Sequence, residues 1–392
     1  MKIIPYGRQE INKSDIDSVV DVLNSDFLTQ GPAIKLFEET FSEYVDAKYS
    51  VAVSNGTAAL HLSVLALGLK PGDKVITTPI TFAASANCVK YCGAEVLFAD
   101  IDPDTYLIDF ESVKKILQEN PVGSVVGLIV VDFAGKPVNT EFFRTLADEY
   151  GIWIIEDACH APGAYFFDSN NNKIKAGSSI YSDLTVFSFH PVKHIATGEG
   201  GMITTKNSKL YKKLLRLRTH GITRETIEFQ NSIQLAGGDS TYPLWYMEMN
   251  ELGYNYRLTD FQAALGVTQL KRAENGLLKR YDIVEKYNEG FANSQFILKK
   301  PNFESNHAYH LYVIEVKDRL GLYNFLREKN IFAQVHYFPC HLMPYYRQFG
   351  WKEGDLENAE NYYKNCLSLP IFPSLTSSEH DYIIETIKTY YC

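Results

Sequence analysis

The sequence has no apolar run long enough to cross a bilayer. Its longer apolar stretches, such as SVVGLIVV at 124–131, fall well short of the roughly 20 residues that a spanning helix needs. The opening stretch MKIIPYGRQEINKSD lacks the apolar core of a secretory signal. The net charge is −9, whereas nucleic-acid-binding proteins are usually basic. We therefore expect a soluble cytoplasmic protein with no membrane or nucleic-acid partner.

Cysteine is also scarce, with 6 among 392 residues, and the six are scattered along the chain. The one close pair, in CVKYC at 88–92, has no second pair at the spacing of a zinc site. We therefore expect free thiols and no metal site. Because 45% of the residues are hydrophobic, the chain has enough apolar surface for a substantial core.

Strand and helix patterns alternate over the first half of the chain. Apolar strand-like stretches such as KVITTP (74–79) and WIIEDAC (153–159) are separated by segments with an apolar helical face. This alternation predicts an α/β fold with a large, mostly parallel sheet covered by helices. Residues 259–291 have helical periodicity, as one helix or two, and the remainder is typical of a smaller α+β unit. We predict a large domain over 1–265 and a small domain over 266–392.

Lys193 lies between an apolar stretch and a glycine-rich one, in FSFHPVKHIATGEGG. The residues LTVFSF (184–189) predict a buried strand, TGEGG a turn and MITT a second strand. A lysine in such a loop beside the protein interior has its pKa lowered by desolvation and can act as an amine nucleophile. The alternative is an ordinary solvated lysine.

Two further stretches carry polar groups after predicted strands. Asn55 and Gly56 lead into a helix that Thr57 opens, and the N–H groups of such a helix start favour a phosphate. The alternative, which this stretch taken alone favours, is an ordinary capped turn with Thr57 as the helix cap. Asp157 and His160 follow the strand WIIED, where parallel-sheet enzymes place their ligands. Here the alternative is a capping aspartate beside a surface histidine.

Taken together, these parts favour one cofactor. A phosphate site, an acidic partner for a pyridine nitrogen and an amine for an aldehyde are what pyridoxal 5'-phosphate requires. The negative charge of Asp157 would keep the pyridine ring protonated, and Lys193 would hold the aldehyde as a Schiff base.

The same stretches resemble the DegT/DnrJ/EryC1/StrS family of sugar aminotransferases over nearly the whole chain. The resemblance depends on FLTQGP, VSNGTAALHLSVLALG, TTPITFAASANCVKYCGAEVLFADID, IIEDACHAPGA, FSFHPVKHIATGEGG and GYNYRLTDFQAALGVTQL. It implies the aspartate-aminotransferase fold (fold type I) and an enzyme dependent on pyridoxal phosphate. It also implies a homodimer with shared active sites.

The resemblance assigns roles to individual residues. Lys193, Asp157 and His160 match the lysine that binds the cofactor, the partner of the ring nitrogen and the neighbour of the ring hydroxyl. The remaining cofactor contacts are Gly56, Thr57 and Ser188 at the phosphate, Phe82 stacked on the ring, and Asn255 from the other subunit. The nucleotide-sugar contacts are Tyr6, Asp26, Phe27, Leu28, Thr29, His336, Tyr337, Phe338 and Pro339.

The implied reaction moves an amino group from glutamate to C4 of a UDP-linked 4-keto-6-deoxy-N-acetylhexosamine, as in pseudaminic acid biosynthesis. A GDP- or dTDP-linked 4-keto or 3-keto sugar is an alternative substrate. Some members of the group are sugar dehydratases with histidine in place of the lysine, and here Lys193 favours transamination. A binding protein of the same fold would not need the full set of cofactor residues. The segment 230–249 is longer than the family pattern, and Asp26 offers no cation to a pyrophosphate.

Overall fold

The computed structural model describes residues 3–392. Its α-helices are α1 (Lys13–Leu23), α2 (Pro32–Val45), α3 (Gly56–Ala66), α4 (Ala84–Tyr91), α5 (Phe110–Glu119), α6 (Thr140–Tyr150), α7 (Ser208–Arg218), α8 (Asp260–Leu270), α9 (Ala273–Gly290), α10 (Arg319–Glu328), α11 (Pro344–Arg347), α12 (Glu357–Asn365) and α13 (Ser377–Tyr391). Its strands are β1 (Ile4–Pro5), β2 (Tyr49–Val53), β3 (Lys74–Thr77), β4 (Glu95–Phe98), β5 (Val125–Val131), β6 (Trp153–Asp157), β7 (Tyr165–Phe167), β8 (Lys173–Lys175), β9 (Leu184–Ser188), β10 (Gly201–Thr205), β11 (Ile222–Thr223), β12 (Glu248–Met249), β13 (Ile297–Lys299), β14 (Tyr312–Val316), β15 (Ile331–Phe332) and β16 (Cys366–Leu369).

A seven-stranded sheet forms the centre of the molecule, in the order β2-β10-β9-β6-β5-β3-β4. Neighbouring strands from β9 to β4 are parallel, and β10 runs antiparallel to both β2 and β9. The predicted α/β class with a mostly parallel sheet is therefore confirmed. Since β2, β3, β5, β6 and β9 all point the same way, their carboxyl ends meet at one edge, where ligands bind in such folds.

Burial on both faces explains why these stretches form this sheet. Strand β5 is buried almost throughout, as expected for a central parallel strand with helices on both sides. Helix α3 is buried on nearly every side, because it lies between the sheet and its neighbours α4 and α7. Helix α6 is amphipathic. The Asn139 side chain caps its N-terminus, and Gly151, whose φ of 67° favours glycine, caps its C-terminus.

A second, three-stranded antiparallel sheet, β13-β14-β16, lies in the C-terminal part and packs with α9, α10 and α13 around its own apolar core. The helical region 259–291 is two helices, α8 and α9, separated at Lys271 and Arg272. The predicted boundary at 265 falls inside α8 and stays a prediction. Strand β1, near the N-terminus, pairs with β15, so Ile4 and Pro5 contact the C-terminal part.

The segment 226–247, between the short strands β11 and β12, contains a 3₁₀ turn at Thr226–Glu228 and otherwise irregular chain. Phe229, Tyr242 and Tyr246 pack their rings together inside it, with centroids 4.7 to 5.7 Å apart. Leu244 and Trp245 remain 99% and 75% exposed. In residues 3–392, no helix combines the length and the apolar character needed to traverse a bilayer.

Candidate active site

The turn after β2 forms an anion-binding helix start. Helix α3 begins at Gly56, and the Asn55 side chain accepts a hydrogen bond from the Ala58 N–H at 2.8 Å. The capping residue is therefore Asn55, and the expectation of Thr57 as the cap or the first helical residue is wrong. The Gly56 and Thr57 N–H groups have no acceptor within the helix, which leaves them available to a phosphate.

Gly56 allows a close approach between this turn and the end of β9. A Cβ atom on Gly56 would lie 3.0 Å from the Cβ of Ser188, which is tighter than ordinary packing. Ser188 is the last residue of β9, so its hydroxyl lies beside the start of α3. The predicted phosphate residues Gly56, Thr57 and Ser188 are thus brought together by two neighbouring turns at the same sheet edge.

Asp157 ends strand β6 and is buried. One carboxylate oxygen accepts a hydrogen bond from the Ser85 hydroxyl at 2.7 Å, and the other accepts one from the Cys159 N–H at 3.2 Å. Ser85 in turn lies 2.8 Å from the hydroxyl of Thr81. These donors fix the carboxylate while it lines the cavity, as a partner for a protonated ring nitrogen requires.

Lys193 lies on the loop between β9 and β10, and its N–H donates to the carbonyl of His190 at 2.8 Å. Burial lowers the pKa of its amine, while the charges of Cys159 and Asp157 act in the opposite direction. A lowered pKa increases the fraction of neutral amine, which is the nucleophilic and proton-accepting form. The strand-loop-strand arrangement predicted around Lys193 is confirmed.

His160 follows β6 by three residues and is buried. Its Nε2 lies 3.4 Å from the hydroxyl of Tyr337, and its ring lies against that of His310, with a centroid distance of 4.4 Å and planes inclined by 35°. Desolvation, together with the positive charge of Lys193, holds the pKa of His160 well below its usual range. The imidazole is therefore neutral, and it can both donate and accept a hydrogen bond.

A cavity of about 670 Å³ joins these residues. The predicted site residues that line it are Tyr6, Gly56, Thr57, Phe82, Asp157, His160, Ser188, Lys193, His336 and Tyr337. Phe82 is 63% exposed, so one face of its ring is free to stack on a ligand. His336 donates to or accepts from the Ser368 hydroxyl at 2.9 Å, and burial lowers its pKa to about 3.

Seven predicted site residues lie outside the lining of this cavity: Asp26, Phe27, Leu28, Thr29, Asn255, Phe338 and Pro339. Residues 26–29 and 255, which we name the outer segments, are exposed. Thr29 bridges to Thr259, and Leu28 accepts a hydrogen bond from the Asp260 N–H at 3.0 Å, so both segments lie near the start of α8. Phe338 packs edge-on against Tyr363 instead, and Pro339 is buried.

Sequence reasoning missed several residues that line the cavity. Ser85 lies three positions after Phe82 in the same motif. Its position at the beginning of a predicted helix could have marked it as a site residue. Tyr256 is adjacent to the predicted Asn255 and contacts His61 at 3.3 Å through its hydroxyl. His310 lies 117 positions (310 − 193) after Lys193 and just before β14, and no local pattern marks it as part of the site.

Comparison with known proteins agrees with this geometry. The model of the DegT/DnrJ/EryC1/StrS aminotransferase family matches residues 9–388. The chain belongs to this family. It is therefore a sugar aminotransferase that depends on pyridoxal 5'-phosphate.

Two curated relatives match along essentially their whole length. The chain is 37% identical to the spore coat polysaccharide biosynthesis protein SpsC of Bacillus subtilis, covering 98% of this chain and 96% of SpsC. It is 35% identical to a UDP-4-amino-4,6-dideoxy-N-acetyl-beta-L-altrosamine transaminase of Campylobacter jejuni, covering 100% of both chains.

Solved structures of similar proteins share the fold. Helicobacter pylori PseC, an aminotransferase of pseudaminic acid biosynthesis, superposes with a TM-score of 0.86 at 28% identity, covering 100% of this chain and 99% of PseC. NtdA of Bacillus subtilis, with bound PMP, gives a TM-score of 0.82 at 27% identity, covering 97% and 82% of the two chains. PMP is the aminated form of pyridoxal phosphate.

The residues of this chain fit that cofactor. The start of α3 offers free N–H groups where a phosphate would lie, and Gly56 keeps the approach to them open. Asp157 is a fixed carboxylate, Lys193 is an amine with a lowered pKa, and Phe82 offers a free ring face. All three line the same cavity as the helix start.

Proposed function

We propose that this enzyme transfers an amino group from glutamate to C4 of a UDP-linked 4-keto-6-deoxy-N-acetylhexosamine. The observation that carries the proposal is the composition of the cavity described above. Its inner part contains Lys193 and Asp157, and its wall continues to Tyr6, His336 and Tyr337. A cavity of about 670 Å³ has room for a sugar beside the cofactor, since ligand sites of drug-sized molecules fall in this range.

Lys193 is proposed to do two things in turn. With pyridoxal phosphate bound, its neutral amine would hold the cofactor, and its free amine would carry a proton at Nζ between two carbon atoms. One mobile base can serve both carbon atoms, and the lowered pKa increases the fraction of the amine that can accept a proton. Pyridoxal phosphate, when bound, supplies the electron sink for this chemistry.

Asp157 and His160 orient the reaction in this proposal. The carboxylate of Asp157, fixed by Ser85 and Cys159, holds a proton on the pyridine nitrogen. His160 is neutral and lies beside Tyr337, where it can share a hydrogen bond with the ring hydroxyl. Neither residue needs to move, because both are buried at the end of β6.

The acceptor sugar is proposed to lie against Tyr6, His336 and Tyr337. The rings of Tyr6 and His336 are 5.2 Å apart, and those of His336 and Tyr337 are 4.9 Å apart. Aromatic faces next to neutral imidazole nitrogens suit a polar ring with apolar faces, which is the character of an N-acetylated deoxysugar. The relatives named above, which include a UDP-sugar transaminase, support this choice of substrate.

The active unit is proposed to be a homodimer whose sites are completed by the outer segments of the partner chain. Asn255 is exposed and lies outside the cavity of its own chain, so it is free to reach a neighbouring one. Leu244 and Trp245 are exposed apolar side chains on the adjoining segment, and burial between two chains would stabilise the dimer.

The experiment offers the purified enzyme UDP-, dTDP- and GDP-linked 4-keto sugars with glutamate and follows amine formation by mass spectrometry. NMR of the product sets the configuration at C4. We expect the highest kcat/KM for the UDP-linked N-acetylated sugar. Preference for a dTDP- or GDP-linked sugar would overturn the substrate, whereas loss of water without amine formation would show a dehydratase.

A further inference from the structure

His310 belongs to the segment 308–311, which leads into β14 of the small sheet, yet it lines the large cavity. It is 5% exposed, and its nearest aromatic neighbour is His160, with ring centroids 4.4 Å apart and planes inclined by 35°. We propose that His310 is a positioning residue that holds the imidazole of His160 against the cofactor ring. This inference rests on the proposed place of His160 beside the ring hydroxyl.

Few hydrogen bonds fix the side chain of His160. Its Nδ1 has no partner in the described part of the chain, and its Nε2 has only the 3.4 Å contact to the Tyr337 hydroxyl. The orientation of the ring therefore depends on packing. Phe133 and Tyr337 lie farther away, with centroid distances of 6.2 and 6.3 Å, so the face of His310 is the closest surface.

Backbone hydrogen bonds fix the residues on both sides of His310. The Ala308 N–H donates to the Gly135 carbonyl at 2.8 Å, and the Leu311 N–H donates to the Ala134 carbonyl at 3.1 Å. These bonds fasten the segment 308–311 to the turn after β5. These hydrogen bonds therefore hold the backbone on both sides of His310 next to the turn after β5.

Gly135 permits this approach. Its φ is 101°, a conformation that favours glycine. A Cβ atom there would lie 2.8 Å from the Tyr309 nitrogen, 2.9 Å from the His160 carbonyl oxygen and 3.0 Å from the His310 nitrogen. The backbones of His160 and His310 thus converge on one glycine, and their ring centroids are 4.4 Å apart.

His310 also lies near His194, the residue next to Lys193. The centroids of these two rings are 5.7 Å apart, and the Nε2 of His194 is 2.8 Å from the Ala308 carbonyl oxygen. With this oxygen as acceptor, His194 donates from Nε2. The imidazoles of His160, His310 and His194 thus form a contiguous cluster that connects both cofactor-binding loops to the segment before the small sheet.

The test measures how variants bind pyridoxal phosphate, by titration of the apoprotein, and records the visible circular dichroism of the bound cofactor. We expect His310→Ala to raise the cofactor dissociation constant about tenfold and to reduce the dichroic band. The loss of a contact between two aromatic rings changes an equilibrium constant by about this factor. His310→Gln, which keeps volume and polarity but no ring, should behave like His310→Ala. His310→Phe, which keeps an aromatic ring at this position, should have a cofactor dissociation constant within about threefold of the wild-type value.

His380→Ala is the matched control. His380 is also buried and also packs on an aromatic ring, that of Tyr287 at 4.0 Å, but it lies on α13 in the core of the small sheet. It should leave the affinity and the dichroic band unchanged. If His310→Ala matches this control, or if His310→Gln rescues binding and His310→Phe does not, the positioning role is overturned.

His160→Ala separates this inference from the proposed function. If His160→Ala weakens cofactor binding and His310→Ala does not, the role of His310 fails and that of His160 stands. If His160→Ala itself has no effect on binding or on the spectrum, the proposed place of His160 fails, and the inference fails with it.

Discussion

The inner part of the cavity and the outer segments are built in different ways. The inner residues Gly56, Asp157, His160 and Lys193, which we name the cavity floor, end or follow the strands β2, β6 and β9 of one chain. The outer segments, residues 26–29 and 255, are exposed and lie outside the lining of that cavity. One chain thus supplies the cavity floor, and in the proposed homodimer the outer segments of the partner chain would complete the site.

This difference predicts two kinds of kinetic effect. Changes in the floor remove interactions with reacting atoms and should lower kcat. Changes in residues 26–29 remove contacts that are equal in the ground and transition states, and should raise KM for the sugar with kcat unchanged.

Lys193→Ala is expected to have the largest effect. It removes both the covalent attachment of the cofactor and the base that moves the proton, so kcat should fall by more than about 10⁴-fold. The exposed Lys206, which follows β10, is the control, and Lys206→Ala should retain wild-type kcat. Turnover by Lys193→Ala within tenfold of the wild type would remove Lys193 from the mechanism.

Asp157→Asn comes next. The amide has nearly the shape of the carboxylate but no charge to hold the ring proton, so kcat should fall roughly 10²- to 10³-fold. Ser85→Ala keeps the charge of Asp157 and removes the hydrogen bond that the Ser85 hydroxyl donates at 2.7 Å. It should lower kcat only about tenfold. Steady-state assays at saturating substrates measure both. Equal losses in the two variants would mean that the charge of Asp157 is not what matters.

Buried histidines should also make the protein sensitive to acid. Burial lowers the pKa of several histidines, among them His160, His194, His310, His336 and His380, the last two to about 3 and about 4. In the unfolded chain these groups titrate near a pKa of about 6.5, so below that pH the unfolded state binds more protons and stability is lost.

Each such histidine should cost about 1.4 kcal/mol of stability per pH unit as the pH falls from about 6.5 toward its folded pKa. The melting temperature should therefore fall steeply between pH 7 and pH 5. His380→Asn removes one of these groups outside the cavity and should make the decline shallower. A melting temperature that is constant over this range would contradict neutral, buried histidines.

Phe27→Ala is the smallest expected effect and tests the outer segments. Phe27 is 53% exposed, and loss of a stacking face should raise KM for the nucleotide sugar about fivefold to tenfold, with kcat within twofold. Phe142→Ala, on the similarly exposed face of α6, is the control and should change neither constant. A lower kcat with unchanged KM would place Phe27 with the floor.

The same division explains what the sequence could predict. The strands around Lys193 and the strand that ends at Asp157 were predictable, because short apolar runs bounded by glycine or polar residues have strong local signals. That Asn55 rather than Thr57 caps α3 depends on side-chain geometry, which adjacent capping residues do not distinguish. His310 enters the site only through the tertiary packing that joins the segment 308–311 to the turn after β5. The segment 226–247 has no period, since its rings pack on one another rather than on a sheet or helix face.

Subunit complementation tests the central claim most directly. Lys193→Ala and Asn255→Ala chains are inactive or impaired alone in this account, because each lacks one half of every site. In an equal mixture after verified subunit exchange, half of the dimers are hybrids with one complete site, so activity should recover to about a quarter of that of the wild type. If hybrids form and activity stays at the level of the separate variants, the two halves of the site do not come from different chains.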